Sequence, residues 1–235
     1  MLAIYKRELR SYFISPIGYI FIAAFLCVSG ILFASTTIQA GEASNVGSYF
    51  SMLLIIFIIV LPLLTMKLFS DERRLRTEAL LLSAPVSLMG MVMAKFLAAY
   101  TVFAGTFLLS CLDFIALYTH GEPNTAIILG NIIDILLVGA ACIAIGVFVS
   151  SLTENQLIAA IGTMLIIALF VFTTVLNSYI DSYAVRAVLS WISILDRFYN
   201  FSYGYFDFNA ILYYISLSFV FLFLTVRIYE KRRWS

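Results

Sequence analysis

The chain has 235 residues, of which 63% are hydrophobic and 11% charged, against about 45–50% and about 25% in soluble globular domains. A soluble domain of this size has too little interior to hide so much apolar surface, which excludes a water-soluble enzyme or binding module. Lys and Arg (14) nearly balance Asp and Glu (13), so there is no basic footprint for nucleic acid.

In chain order, Ile4, Leu9, Tyr12 and Phe13 alternate with Lys6, Arg7 and Arg10. That pattern predicts an amphipathic helix lying on the membrane before the first span. A bilayer core about 30 Å thick needs about 20 apolar helical residues. Uncharged runs of that length predict six spans, at about 17–38, 49–69, 91–118, 126–152, 156–178 and 208–227. The first has too long an apolar core for a cleaved signal peptide and is expected to be retained. Pro62 should kink the second, with its freed carbonyl satisfied by Thr65 or by other helices. No repeat or linker interrupts residues 1–235, which read as one all-α transmembrane domain.

Twelve basic residues fall on the side of the N-terminus: Lys6, Arg7, Arg10, Lys67, Arg73, Arg74, Arg76, Lys95, Arg227, Lys231, Arg232 and Arg233. Only Arg186 and Arg197 fall on the other. The positive-inside rule then places both termini in the cytoplasm, in a cell membrane. Of the connections, the inner one (67–90) and the outer one (177–207) are long enough to carry function.

Within the inner connection, Ser70 to Pro85 reads as a short helix. Ser70 is its expected N-cap, Asp71 and Glu72 suit the positive end of the dipole, and Pro85 stops it. Glu72 and Arg76 stand four apart in the favourable order. Leu75, Ala79 and Leu82 form an apolar stripe, with Arg73, Arg74 and Glu78 elsewhere. Such a helix either lies on anionic lipid or is gripped by a cytoplasmic partner.

Asp113 and Asp134 are costly in a bilayer. Both should lie in the outer leaflet on adjacent antiparallel helices, either paired as a polar point near an external gate or bonded to hydroxyls, Arg186 or Arg197. Gly139, Ala140, Ala144 and Gly146 offer a small-residue surface, for packing inside the subunit or for a dimer seam. The outer connection is dense in aromatics: Tyr179, Tyr183, Trp191, Phe198, Tyr199, Phe201, Tyr203, Tyr205 and Phe206. It is expected to form helices in, or re-entering, the outer interface.

Catalytic sets are missing. Cys27, Cys111 and Cys142 are too far apart for a disulfide framework or a zinc site, and no metal site is expected. The sole histidine, His120, sits in a short turn beside Gly121 and Glu122, without triad or zinc-motif partners. None of Lys6, Lys67, Lys95 and Lys231 follows a glycine, so there is no phosphate-cradling loop and no ATP chemistry in this chain.

The stretch DERRLRTEALLLSAPVS (71–87), followed by MVMAKFLAAY (91–100), resembles the first cytoplasmic loop of type-2 ATP-binding-cassette permeases. GVFVSSLTENQLIAA (146–160) is similar to that family's turn between spans four and five. The tail from Asp196 through Tyr213 and Tyr214 to the final EKRRWS resembles the gliding-motility-type branch. In order and spacing these motifs cover nearly the whole chain. One departure stands out: the family's Gly-Thr-x-Glu is here Arg76-Thr77-Glu78-Ala79, without the glycine and with the acid one position early.

The resemblance implies the membrane subunit of an ATP-driven, exporter-type transporter. Asp71, Glu72, Arg73, Arg74, Arg76, Thr77, Glu78, Leu80 and Pro85 would belong to a coupling helix seated in a separate ATPase subunit. ATP and Mg would reside on that partner, and no cofactor in this chain. A second copy or a related permease subunit would complete the path, the outer segment would form a gate, and an extracytoplasmic accessory protein is a further partner. Two other readings stay open: a mechanical or scaffold module driven by an ATPase without a conduit, and a secondary transporter using Asp113 and Asp134 for ion coupling.

Overall fold

The computed structural model describes residues 1–38, 46–77, 87–120, 124–177, 179–180, 182–202 and 207–234. Among these the chain is all helical. The helices are α1 (Leu2–Ile14), α2 (Pro16–Phe33, continued by a π-turn at Ala34–Ile38), α3 (Gly47–Thr65), α4 (Ser70–Arg74), α5 (Leu88–Ser110), α6 (Asp113–His120), α7 (Thr125–Leu152), α8 (Gln156–Asn177), α9 (Tyr183–Ile192), α10 (Ile194–Ser202) and α11 (Phe208–Trp234). Six helical stretches are long and apolar enough to cross a membrane: Pro16–Thr37, Gly47–Arg74, Leu88–Ile115, Thr125–Leu152, Gln156–Asn177 and Phe208–Arg233. They fall where the uncharged runs place them, within a few residues except at the C-terminal ends of the second and sixth.

Helix α7 is the hub. It packs against α3, α5, α8, α10 and α11, so most of its surface meets protein. A helix enclosed in this way needs no polar stripe. It does need small residues where neighbouring backbones come close, and α7 carries Gly139, Ala140, Ala141, Ala144 and Gly146 in two turns. A Cβ built on Gly139 would sit 2.1 Å from the Phe103 ring of α5, and one on Gly146 would sit 2.1 Å from Thr65 Oγ1 of α3. Both glycines therefore face contacts within this chain. Away from the hub, Phe33, Tyr49, Phe50 and Phe114 tie α2, α3 and α6 together, with ring centroids 5.1–5.8 Å apart. Such edge-on and stacked ring pairs suit the aromatic quadrupole.

Three sequence expectations change. The third span is not continuous to residue 118: α5 stops at Ser110, and 3₁₀-type bonds from Phe114 N to Cys111 O and from Ile115 N to Leu112 O restart the chain as α6. Asp113 is thereby the first residue of α6, where the dipole favours an acid. Pro62 lies inside α3, and Thr65 Oγ1 donates to the carbonyls of Leu61 and Pro62, not to the Ile58 carbonyl that the proline frees. In α1, Ile4, Leu9 and Tyr12 face the protein while Phe13 is exposed, because one residue along a helix turns the side chain about 100° away.

Gly146→Ala should destabilise the protein by about 1–3 kcal/mol through overpacking against the buried Thr65. Gly105→Ala, with nothing within 4 Å of its Cβ position, should be neutral or stabilise by up to about 1 kcal/mol. Thermal unfolding of detergent-solubilised protein, followed by helical circular dichroism, checks both.

Candidate functional site: a broken helix at the basic end

The second span does not run straight into α4. Between Thr65 and Ser70 the helical hydrogen bonds are interrupted, freeing backbone groups that are buried among Leu68, Phe69 and Ser70. Unsatisfied backbone groups in such surroundings cost several kcal/mol each, so each needs a partner from outside the helix.

Those partners come from three other helices. The Leu64 carbonyl, released because Leu68 N turns to Thr65 O, accepts from Tyr12 Oη of α1 at 2.9 Å. The Met66 carbonyl accepts from Ser150 Oγ of α7 at 3.1 Å and from Ser70 Oγ. The amides of Phe69 and Ser70 donate to the same Ser150 oxygen at 3.1 and 3.2 Å. The Leu68 carbonyl accepts from Lys95 Nζ of α5 at 2.6 Å. Ser70 is therefore not an N-cap; its hydroxyl turns back to the preceding segment.

Lys95 is fully buried, and a buried ammonium requires counter-charges. It has two: Glu8 Oε1 at 3.2 Å and Glu72 Oε1 at 2.9 Å. Arg7 bonds the same two carboxylates, at 2.5 and 2.7 Å. The four groups form a neutral quartet that joins α1, α4 and α5. The Phe69 ring lies 4.9 Å from Lys95 Nζ on one side and 4.9 Å from the Tyr229 ring of α11 on the other. Partial burial works against the Arg7 charge, but Glu8 and Glu72 outweigh it and hold the guanidinium above its ordinary pKa. Burial, reinforced by Glu8, pushes the Tyr12 phenol far above its ordinary value and keeps it a donor.

The far side of α4 is tied to the turn between α7 and α8. Arg73 donates to the Leu152 carbonyl at 2.7 Å and pairs with Glu154 at 3.2 Å. Gln156 donates to Asp71, and Arg232 of α11 donates to the Ser151 carbonyl at 2.9 Å. Residues 66–74 are thus clamped from α1, α5, α7, α8 and α11 at the end of the bundle where the basic residues gather.

Helix α4 ends at once. Thr77 N donates to Glu72 O and Arg76 N to Arg73 O, with Arg76 at φ 55°. This is a Schellman termination with arginine at the position that usually carries glycine. The helix predicted from Ser70 to Pro85 accordingly stops at Arg74. The predicted Glu72–Arg76 pair is replaced by the bonds of Glu72 to Arg7 and Lys95. Arg74, Leu75 and Arg76 form an exposed tip. Glu78, Ala79, Leu80, Leu82 and Pro85 lie outside the described residues.

The other site candidates are dispersed. Asp134 is fully buried, and among the described residues neither carboxylate oxygen has a hydrogen-bond partner; its electrostatic neighbour is Tyr214. Asp113 is half-buried and neighbours Tyr49 and Cys111 instead. The structure does not bond the two acids to each other. Nor does Arg197 reach Asp134: it donates to the Trp191 carbonyl at 3.1 Å and lies over the Tyr213 ring at 4.2 Å, closing the end of α9. Arg186 is exposed. In the aromatic-rich connection after α8, Phe198 is buried, Trp191, Tyr179 and Tyr199 are exposed, and Tyr203, Tyr205 and Phe206 lie outside the described residues.

The sequence does not single out Glu8, Tyr12 and Ser150 as site residues, and Lys95 enters there only as one of the basic residues and within the 91–100 motif. Their signal was present: an acid on the inward face of α1, and a lysine inside an apolar stretch, each needing a partner that local sequence does not supply. Among the described residues no three His, Cys, Asp or Glu side chains gather as a metal site.

No protein-family model and no curated protein matches the chain. By helix length and hydropathy it is a multi-pass membrane protein.

Lys95→Met should destabilise the protein by about 3 kcal/mol, since Glu8 and Glu72 lose a buried counter-charge. Arg7→Gln, at a half-exposed position, should cost less than about 1 kcal/mol; equal melting shifts for the two would contradict the quartet. Arg76→Gly should relieve the left-handed strain and slow hydrogen exchange of the Thr77 amide by about fivefold. Faster exchange in that variant would contradict the Schellman turn.

Proposed function

We propose that this chain is the membrane subunit of an exporter-type ATP-binding-cassette transporter, with residues 70–77 as the part that meets a separate ATPase. The clamped elbow is the observation that carries this reading. A lever must be rigid at its base and accessible at its tip. Here Asp71, Glu72 and Arg73 are struts tied to other helices, while Arg74, Leu75 and Arg76 project outward. Force on the tip would reach α1, α5 and α7 through bonds already in place. The order of motifs resembling type-2 permeases supports the same assignment. It carries with it a cytoplasmic location for the elbow and both termini, ATP and Mg on the partner, and pairing with a second permease subunit.

One observation favours ion-coupled transport instead. Asp134 is buried among helices, with both oxygens unpartnered among the described residues, as a proton- or ion-carrying acid would be. Its isolation from Asp113 weakens that reading, because a relay needs a second group.

The test is co-purification of the full chain with the co-expressed ATPase. Substituting Arg74, Thr77 and Leu80 should abolish association and ATPase stimulation; unchanged binding and stimulation would sink the coupling role. Vanadate-sensitive substrate movement in vesicles would distinguish a transporter from a force-relaying scaffold. Transport with no ATPase present, lost in Asp134→Asn, would establish the ion-coupled reading.

A further inference from the structure

The basic end carries a second feature that the elbow does not use. A groove of ≈ 680 Å³ opens between the start of α5 and the end of α11, lined by Ser87, Leu88, Met89, Arg227, Glu230, Lys231 and Arg233 among others. Three cations face one acid there. Glu230 is engaged by Arg227 at 2.7 Å, and among the described residues neither Lys231 nor Arg233 has an acidic partner. This contrasts with the cavity beside the quartet, where Arg7, Lys67 and Lys95 are matched by Glu8, Asp71 and Glu72. At the start of α5, Ser87 accepts from the Gly90 amide at 3.2 Å. The amides of Leu88 and Met89 have no partner inside the helix, as in any first turn. The groove therefore carries an excess of positive charge.

Its surroundings narrow the class of anion. Directly along α11 from Arg227 stand Phe223, Val220 and Phe219, all exposed, with exposed Met89 on the α5 side. The Arg227 guanidinium lies 4.9 Å from the Phe223 ring, which stacks on Phe219. Cations at the rim of an apolar, ring-lined face match a molecule with a charged head and a hydrocarbon tail. A free phosphate would have no use for that face.

We propose that this groove binds an anionic phospholipid from the leaflet at the basic end, its phosphate held by Arg227, Lys231 and Arg233 and its acyl chains lying along Phe223 and Phe219. The proposal rests on the chain crossing a membrane and not on the coupling role of the elbow, so either can fail alone. Each cation near an anionic headgroup contributes about 1 kcal/mol, and burial in a groove between two helices localises that attraction to one place.

The test uses the full chain in nanodiscs containing phosphatidylglycerol or phosphatidylcholine with a photoreactive headgroup. Crosslinks from phosphatidylglycerol should map to residues 87–93 and 219–233, about tenfold above those from phosphatidylcholine. Lys231→Gln with Arg233→Gln should remove that preference, and Lys231→Gln alone should reduce it about threefold if the double variant does not fold. Arg186→Gln should leave it unchanged. Unlabelled phosphatidylglycerol should compete, and inorganic phosphate should not. Equal labelling by the two lipids, labelling undiminished in the Lys231 variants, or competition by phosphate as effective as by lipid would each overturn the proposal.

Discussion

A backbone that stops being helical inside an apolar bundle must find hydrogen bonds elsewhere, and this requirement organises the basic end of the protein. The interruption after Thr65 exposes carbonyls at Leu64, Met66 and Leu68 and amides at Phe69 and Ser70. Tyr12, Ser150 and Lys95 satisfy them. Each of these residues comes from a different helix, so the break can persist only if α1, α5 and α7 are all in place. A local irregularity in one span thereby becomes a joint for the bundle.

The ionic quartet follows from the same joint. Lys95 is drawn inward by the Leu68 carbonyl, and a fully buried ammonium would be too costly alone. Glu8 and Glu72 neutralise it, and Arg7 neutralises the second carboxylate charge at the more exposed rim. Buried ion pairs add little net stability compared with apolar packing, but they penalise every arrangement in which a partner is absent. The quartet accordingly specifies where α1 and α4 sit against α5. Rigid placement of α4 is also what the coupling proposal needs, since a tip at Arg74–Arg76 can transmit displacement only from a fixed base.

Helix α7 connects that joint to the rest of the molecule. Ser150 near its end holds the elbow, Gly146 admits Thr65 of α3, and Gly139 admits the Phe103 ring of α5. Side-chain bulk at either glycine would push α7 outward and draw Ser150 away from the two amides it serves. The small-residue run is therefore structural inside this chain, at least at these two positions. Asp134 on the same helix is enclosed and, among the described residues, without a hydrogen-bond partner.

Six apolar stretches, their approximate limits and the clustering of basic residues at one end could all be read from the sequence, because each depends on composition over a window of about 20 residues. The alternation of Ile4, Leu9 and Tyr12 with Lys6, Arg7 and Arg10 is read instead from residue spacing. The breaks were not. Nothing local distinguishes Met66–Phe69 or Cys111–Leu112 from helix, and what tolerates the first interruption is a hydroxyl or an ammonium brought from far along the chain. Ser70 looked like a cap and Glu72 like a partner for Arg76 on helical spacing alone; tertiary contacts with Met66, Arg7 and Lys95 decided otherwise. Hydropathy is additive along the chain and so belongs to the sequence, whereas the satisfaction of a buried polar group is a pairing problem that only the folded bundle resolves.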